Sequence, residues 1–259
     1  MRALAFAAGL GLALLAGPAV APAQEAEPAL PKQPWPFEGV FGTFDRASAQ
    51  RGFQVFNEVC SNCHSLRLVA YGDLGPEGPG GGLGFTLDQV KAIAAAKQVA
   101  DTNDQGEPTT RPALPADHFV PPFANDKAAR AASNGALPPD LSVIVKARAS
   151  GPDYVFDLLT GYKPPPANVT VAEGMNYNEY FPGHQIAMPQ PLNENSVTYA
   201  DGTPATLDQE AYDVVNFLAW AAEPTLDDRH RTGIKVILFL LVMTGILYAG
   251  KRRIWADVH

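Results

Sequence analysis

The stretch "DRASAQRGFQVFNEVCSNCHSL", residues 45–66, contains both cysteines of the 259-residue chain. Asp45 is placed to cap a helix beginning at Arg46, because its carboxylate can accept hydrogen bonds from the free N–H groups of the first turn. Apolar side chains follow at helical spacing along one face: Ala49, Phe53, Phe56 and then Val59 or Cys60. The stretch therefore predicts a core helix that leads into the cysteine pair.

Cys60, Cys63 and His64 form the pattern C-x-x-C-H. On a helical turn these side chains share one face, since residues three and four positions apart are neighbours. A structural zinc site needs about four ligands, and the sequence has no second cysteine pair. A dithiol redox site needs a βαβ setting, and a disulfide across so short a loop removes little chain entropy. The pattern is instead typical of c-type haem attachment, with two thioether links and an axial imidazole.

The amino-terminal end predicts export. Arg2 precedes an apolar run at residues 3–16, and small residues lead up to Ala23. This order is typical of a secretory signal, so residues 1–23 are expected to be removed. The rest of the chain would then enter an oxidising compartment, such as a bacterial periplasm.

The carboxyl-terminal end predicts a membrane anchor at residues 231–252. Between Arg231 and Lys251 the single charge is Lys235, and a helix of this length is about 28 Å long, enough to cross a hydrocarbon core. The basic residues that follow favour the cytoplasmic side. Residues 24–230 are therefore expected on the periplasmic side of a bacterial inner membrane, and residues 253–259 form a cytoplasmic tail.

The segment between signal and anchor is acidic. Residues 24–228 contain 26 acidic and 12 basic residues, a formal charge of −14. This charge argues against a nucleic acid partner, whose phosphates would be repelled, and favours a basic protein partner. Five acidic residues in predicted loops are candidates for docking such a partner: Asp73, Glu77, Asp101, Asp104 and Glu107.

The abundance of glycine and proline, 23 and 24 residues, and the scarcity of strand signals predict a mainly α, loop-rich domain. Residues 24–42 predict an extended arm on the surface, and residues 103–125 a long irregular segment. Further helices are predicted over residues 86–101, from Asp126, from a cap at Asp140, from about Pro152 to Gly161, and from Thr206 to Pro224.

A haem iron also has a second axial position, and the residue that occupies it has to be identified. Met188 in "IAMPQPL" is favoured, because Pro189 restrains the backbone that would hold the sulfur. Met175 is a weaker alternative. His184 is close to Met188 in sequence, so two histidines as axial ligands remain an alternative. His118 is interpreted as an ordinary loop histidine. Methionine ligation predicts a higher reduction potential than bis-histidine ligation.

Several segments resemble the cytochrome c1 family. Its members are the haem subunits of quinol–cytochrome c reductase, which is also called the cytochrome bc1 complex. They are "FEGVFGTFDRASAQRGFQVFNEVCSNCHSL", "NGALPPDLSVIVKAR", "DYVFDLLTGY", "NYNEYFPGHQIAMPQPL" and "DVVNFLAWAAEPTLDDRHRTG". They run in order from about Phe37 into the predicted anchor. C-x-x-C-H is common to c-type cytochromes, whereas the Pro-Pro-Asp-Leu and Met-Pro-x-Pro-Leu segments are much more specific.

The resemblance implies a class I cytochrome c-like haem domain with long loop insertions, plus one C-terminal transmembrane helix. Helices over residues 46–60 and 206–222 would cross near one covalent haem c, with residues 134–139 packed over it. Six haem-binding residues are implied: Cys60 and Cys63 as thioether links, His64 and Met188 as axial iron ligands, and Arg148 and Tyr154 near a haem propionate.

The resemblance also implies a role. The chain would be a non-catalytic electron carrier that works beside cytochrome b, accepts electrons from a Rieske iron–sulfur protein and passes them to a soluble c-type cytochrome. One departure is that some bacterial members have a second cysteine pair before the axial methionine, and this chain has none. Packing and the rigid "PPP" at residues 164–166 would then have to order residues 163–183.

Three alternative functions remain, and each predicts a different observation. Another membrane-anchored cytochrome, such as an oxidase haem subunit, would share the haem motif and the anchor but not the Pro-Pro-Asp-Leu segment. A haem enzyme or gas sensor would have an open sixth position. A protein without cofactor would be colourless, with a Cys60–Cys63 disulfide.

Overall fold

The computed structural model describes residues 29–257, so the predicted signal at residues 1–23 lies outside the described residues. The described part is mainly helical, as predicted, with helices α1 (Arg46–Glu58), α2 (Leu87–Ala95), α3 (Asp126–Ala132), α4 (Gly151–Thr160), α5 (Leu207–Ala222) and α6 (Leu226–Ile254). Two antiparallel pairs accompany them, β1 (Gln98–Thr102) with β2 (Pro108–Pro112), and β3 (Asn176–Tyr177) with β4 (Gln185–Ile186).

Helix α1 begins where the sequence predicts. The Asp45 carboxylate accepts hydrogen bonds from the backbone N–H groups of Ala47 and Ser48, at 3.0 and 3.1 Å. The helix ends earlier than expected, at Glu58, and a 3₁₀ turn over Cys60–Asn62 continues the chain. The cysteine motif therefore lies on a tighter turn after the helix.

Helices α1 and α5 pack against each other and form the centre of the core. Phe53 and Phe56 of α1 meet Phe217 of α5, with ring centroids 5.7 and 5.5 Å apart. Gly52 permits this close approach, because a Cβ at that position would lie 1.9 Å from the carbonyl oxygen of Asp213. The two helices are thus held at a spacing that only glycine allows here.

A buried charge pair joins the same two helices. The Arg51 guanidinium donates to the Asp213 carboxylate through Nε at 2.8 Å and Nη2 at 3.0 Å. The Ser48 hydroxyl donates to Asp213 at 2.6 Å. Because Asp213 is fully buried, these hydrogen bonds offset the cost of removing its carboxylate from water.

The amino-terminal arm is irregular over its described residues, and its aromatic side chains enter the core. Trp35 is buried and stacks on Tyr212 of α5, with ring centroids 4.9 Å apart. Its indole N–H donates to the Asp153 carboxylate of α4 at 2.7 Å. The arm therefore links α4 to α5 instead of lying only on the surface.

Three secondary-structure predictions were wrong. The helix expected to start at Asp140 is a series of turns; its carboxylate accepts the Ser142 N–H, as a cap would, but it also accepts the distant N–H of Arg67. The helix expected over residues 86–101 ends at Ala95, and residues 98–102 form β1. Part of the segment expected to be irregular forms β2, whose mostly exposed side chains give no alternating pattern.

Helix α6 spans 29 residues and contains the predicted anchor. It has a mean hydropathy of 2.0 over its most apolar window, and none of that window is buried. Within the described residues it is the one helix long and apolar enough to cross a membrane. Lys251, Arg252 and Arg253 occupy its last turn, where cations also interact favourably with the helix dipole.

Candidate haem site

Both thiols of the C-x-x-C-H motif are free. The backbone N–H groups of Cys63 and His64 donate to the carbonyl of Cys60, at 3.1 and 2.9 Å. This turn places Cys60 half-buried and Cys63 exposed. Burial raises the pKa of the Cys60 thiol to about 12.

His64 is oriented by one hydrogen bond. Its Nδ1 lies 2.8 Å from the carbonyl oxygen of Pro139 and donates to it. That bond fixes the tautomer in which Nε2 has a free lone pair, the form in which histidine binds a metal. Burial lowers the pKa of His64, which favours the same neutral form.

The segment that contains Pro139 runs beside the haem motif. The Leu141 N–H donates to the Ser65 carbonyl at 2.9 Å, and the Leu68 N–H to the Ser142 hydroxyl at 3.1 Å. A cleft of about 140 Å³ lies between the two segments. Its lining includes Cys63, Phe123, Leu137, Pro138 and Pro139. The lining is mixed, because polar side chains also contribute to it: Ser65, Arg67, Asn125, Asp126 and Asp140.

Met188 follows the β3–β4 pair, and its backbone is fixed from two sides. The Tyr162 hydroxyl donates to the Met188 carbonyl at 3.0 Å, and the Asn176 side-chain amide donates to the same oxygen at 3.3 Å. Met188 itself is half-buried. The sequence pointed to Pro189 as the restraint, and the structure adds these two donors.

Tyr154 and Arg148 occupy different settings. Tyr154 is half-buried on α4 and close enough to Tyr162 to contribute to the raised pKa of that phenol, which burial mainly causes. Tyr154 is thereby connected to the Met188 loop. Arg148 is exposed, and its Nη1 donates to the neighbouring carbonyl of Ala147 at 3.0 Å. Among the described residues no carboxylate forms an ion pair with Arg148, so its guanidinium is available to an anionic group.

The alternative axial ligands have other contacts. His118 is exposed, and its Nδ1 is 2.8 Å from the carbonyl oxygen of Arg67. His184 stacks on Tyr177, with ring centroids 5.8 Å apart. Met175 lies in a turn closed by its N–H and the carbonyl of Ala172. The His184 backbone is also held from two sides, since its N–H donates to the Phe181 carbonyl at 2.7 Å and its carbonyl accepts from the Asn178 N–H at 3.0 Å.

The residues present fit a covalently attached haem. Two thiols precede an imidazole whose Nδ1 is already bonded, and a cleft partly lined by Phe123, Leu137 and Pro138 lies beside them. Sequence reasoning did not identify Tyr162, Asn176 or the carbonyl of Pro139 as residues that support the site. No local motif marks them, because each acts through a contact between distant parts of the chain.

Comparison with known proteins identifies the family. Residues 35–258 match the model of the cytochrome C1 family. The chain belongs to the cytochrome c1 family. Cytochrome c1 of Rhodospirillum rubrum is 49% identical, covering 96% of this chain and 95% of that protein. A mitochondrial cytochrome c1 heme protein of Arabidopsis thaliana is 48% identical, covering 98% of this chain and 81% of that protein.

Membership of the cytochrome c1 family settles the cofactor and the general role. The chain carries covalently bound haem c and is a haem electron-transfer subunit. The predicted fold class is confirmed, as a mainly helical cytochrome c1 domain with one long apolar C-terminal helix. A further relative is a cytochrome b/c1 protein of Bradyrhizobium diazoefficiens, 44% identical over 88% of this chain and 36% of that longer protein.

Proposed function

We propose that Cys60 and Cys63 hold the haem through thioether bonds, and that His64 and Met188 are its axial iron ligands. The observation that carries the assignment is the His64–Pro139 hydrogen bond directly after two free thiols, because it leaves Nε2 to bind iron. A bound haem supplies a one-electron iron couple. Pro139 keeps the His64 ring in one orientation, and Tyr162 with Asn176 holds the Met188 backbone.

Arg148 and Tyr154 complete the proposed site. A propionate carries a negative charge, and Arg148 offers a guanidinium with no ion-pair partner among residues 29–257. Tyr154 lies on the α4 helix that ends next to Tyr162. These two side chains would orient the haem, and neither is proposed to bind the iron.

In the proposed role, the protein accepts one electron from a Rieske iron–sulfur protein and passes it to a soluble c-type cytochrome, within a quinol–cytochrome c oxidoreductase. The name of the Bradyrhizobium relative joins cytochrome b and c1 in one protein, which supports cytochrome b as a neighbour of this chain. The acidic charge of −14 over residues 24–228 supports a basic soluble partner. On the β1–β2 hairpin, Asp104 and Glu107 are exposed, whereas Asp101 is paired with Arg111 at 3.2 Å.

The proposed topology has a signal at residues 1–23, a periplasmic haem domain at 24–230, an anchor at 231–252 in a bacterial inner membrane, and a cytoplasmic tail at 253–259. Support comes from the uninterrupted exposed apolar surface of α6 and the basic residues in its last turn. The helix begins at Leu226, so its first turns would rise above the membrane.

Visible spectra with and without carbon monoxide test the ligand assignment. The reduced wild-type protein is expected to give a c-type spectrum that carbon monoxide does not change, because the iron is six-coordinate. Met188→Leu is expected to bind carbon monoxide, whereas the control Met175→Leu should behave as the wild type. A wild-type protein that binds carbon monoxide would contradict the assignment and favour a haem enzyme or sensor.

The partner assignment is tested separately. The rate at which the reduced protein transfers electrons to a basic soluble c-type cytochrome is expected to fall as salt is added, because screening weakens the attraction. A rate independent of salt would contradict electrostatic docking. Co-purification with a b-type cytochrome and an iron–sulfur protein distinguishes this complex from an oxidase.

A further inference from the structure

A tight turn with an apolar tip lies beside the start of the membrane helix. The Gly42 N–H donates to the Gly39 carbonyl at 3.3 Å, and Gly39 has φ +79°, which favours glycine. The two residues between them, Val40 and Phe41, are 65% and 80% exposed. Phe37 and Phe44 on either side are buried, so the turn is fixed at its base while its tip projects from the protein.

The turn is bonded directly to α6. The His230 Nδ1 donates to the Gly42 carbonyl at 2.8 Å, and the Phe44 N–H donates to the Asp227 carboxylate at 3.1 Å. Asp227, His230 and Ile234 follow helical spacing, and Ile234 is still partly buried. The haem domain is therefore bonded to this face of α6 as far along the helix as His230.

The position of the turn relative to a bilayer follows from the helix. Exposed apolar side chains begin at Val236, directly after Lys235, whose charge suits the edge of the hydrocarbon core. His230 precedes Val236 by six residues, which is about 9 Å along a helix axis. The headgroup layer on each side of a bilayer is roughly 5–8 Å thick. His230 thus lies just beyond the outer edge of that layer, and a side chain that projects from beside it toward the bilayer enters the layer.

We propose that Val40 and Phe41 insert into the headgroup layer of the leaflet that α6 enters. The proposal rests on the membrane anchoring proposed above. Scattered exposed apolar residues are ordinary, but these two are adjacent, project from a turn and lie next to a membrane helix. Aromatic rings favour this interfacial region. The turn gives the haem domain a second attachment to the bilayer, which restricts its rotation about the anchor.

Photocrosslinking in native membranes tests the proposal. A benzophenone analogue of phenylalanine replaces Phe41, Leu240 of α6, or Leu114, each in the full-length chain. Leu240 is the positive control and Leu114 the negative control, and their exposed fractions match each other at 53% and 55%. After irradiation, mass spectrometry of the purified chain is expected to show phospholipid adducts for positions 41 and 240 and none for position 114. An unchanged c-type spectrum verifies that each variant is folded.

The outcomes separate this inference from the anchor assignment. Lipid adducts at position 240 but none at 41 would overturn the inference and leave the anchor in place. An adduct between position 41 and another polypeptide would also overturn it, because the turn would then be a protein contact. No lipid adduct at position 240 would overturn the anchor assignment and the inference with it.

Discussion

Replacing Gly52 with alanine tests whether the close crossing of α1 and α5 holds the haem domain together. A Cβ at this position would lie 1.9 Å from the Asp213 carbonyl oxygen and 2.8 Å from the Phe217 Cβ, whereas real Cβ contacts stay above 3.0 Å. The helices would have to separate locally by about 1 Å to accommodate the methyl group. A backbone carbonyl cannot rotate out of the way, so the strain falls on the helix pair itself.

The expected cost is about 3 kcal/mol in the free energy of unfolding, the upper end of the usual range for overpacking in a core. Separation would also loosen the Phe53–Phe217 ring contact and lengthen the hydrogen bonds between Arg51 and Asp213. For a domain of about 200 residues, each kcal/mol corresponds to about 2–4 °C. The melting temperature should therefore fall by about 6–12 °C.

Thermal unfolding of the detergent-solubilised protein, followed by far-ultraviolet circular dichroism, measures this effect. Gly233→Ala is the matched control, because a Cβ there has no atom within 4 Å, and its melting temperature should stay close to that of the wild type. If Gly52→Ala melts with the control, the close crossing does not stabilise the domain and the reasoning fails.

Three other substitutions should have distinct effects. Asp213→Asn should lower the unfolding free energy by about 3 kcal/mol, because Arg51 loses its buried partner, and the Arg51→Met, Asp213→Leu double variant should recover much of that loss in urea titrations. Burial raises the pKa of Asp157 to about 6, and repulsion from the nearby Asp153 carboxylate acts in the same direction. The native state then binds more protons than the unfolded state between about pH 4 and 6. Wild-type stability should therefore fall as pH rises through that window, and Asp157→Asn should remove this fall; a parallel pH dependence of the urea midpoints would contradict it. Asp45→Ala should cost about 1 kcal/mol through loss of the α1 cap, and an unchanged urea midpoint would exclude that role.

The sequence was most informative where one local pattern determined one structure. The carboxylate of Asp45 followed by apolar residues at helical spacing predicted the start of α1. The helix predicted from Thr206 is α5, which begins at Leu207. Residues 231–252 are so apolar that a helix able to cross a membrane could be predicted there without tertiary information. The cysteine motif predicted its chemistry because few other uses of two thiols and an imidazole fit that spacing.

The failures have a common physical cause. Asp140 accepts the Ser142 N–H as a helix cap would, but the other oxygen of its carboxylate accepts the N–H of Arg67, and turns follow in place of a helix. Arg67 is more than 70 positions away in the sequence, so no local window contains that contact. The β1–β2 hairpin was missed because most of its side chains are exposed, and a strand without a buried face has no alternating pattern.

The two proposed axial ligands are held by different parts of the fold that meet on one helix. His64 follows α1 through a single turn, and the Met188 backbone is bonded to Tyr162, directly after α4. Both α1 and α4 pack against α5. Helix α5 therefore sets the spacing between the segment that carries the imidazole and the segment that carries the thioether. A change at the α1–α5 crossing should alter the distance between these two segments. Gly52→Ala should therefore weaken the proposed bond from the Met188 sulfur to the haem iron, as well as lower the melting temperature.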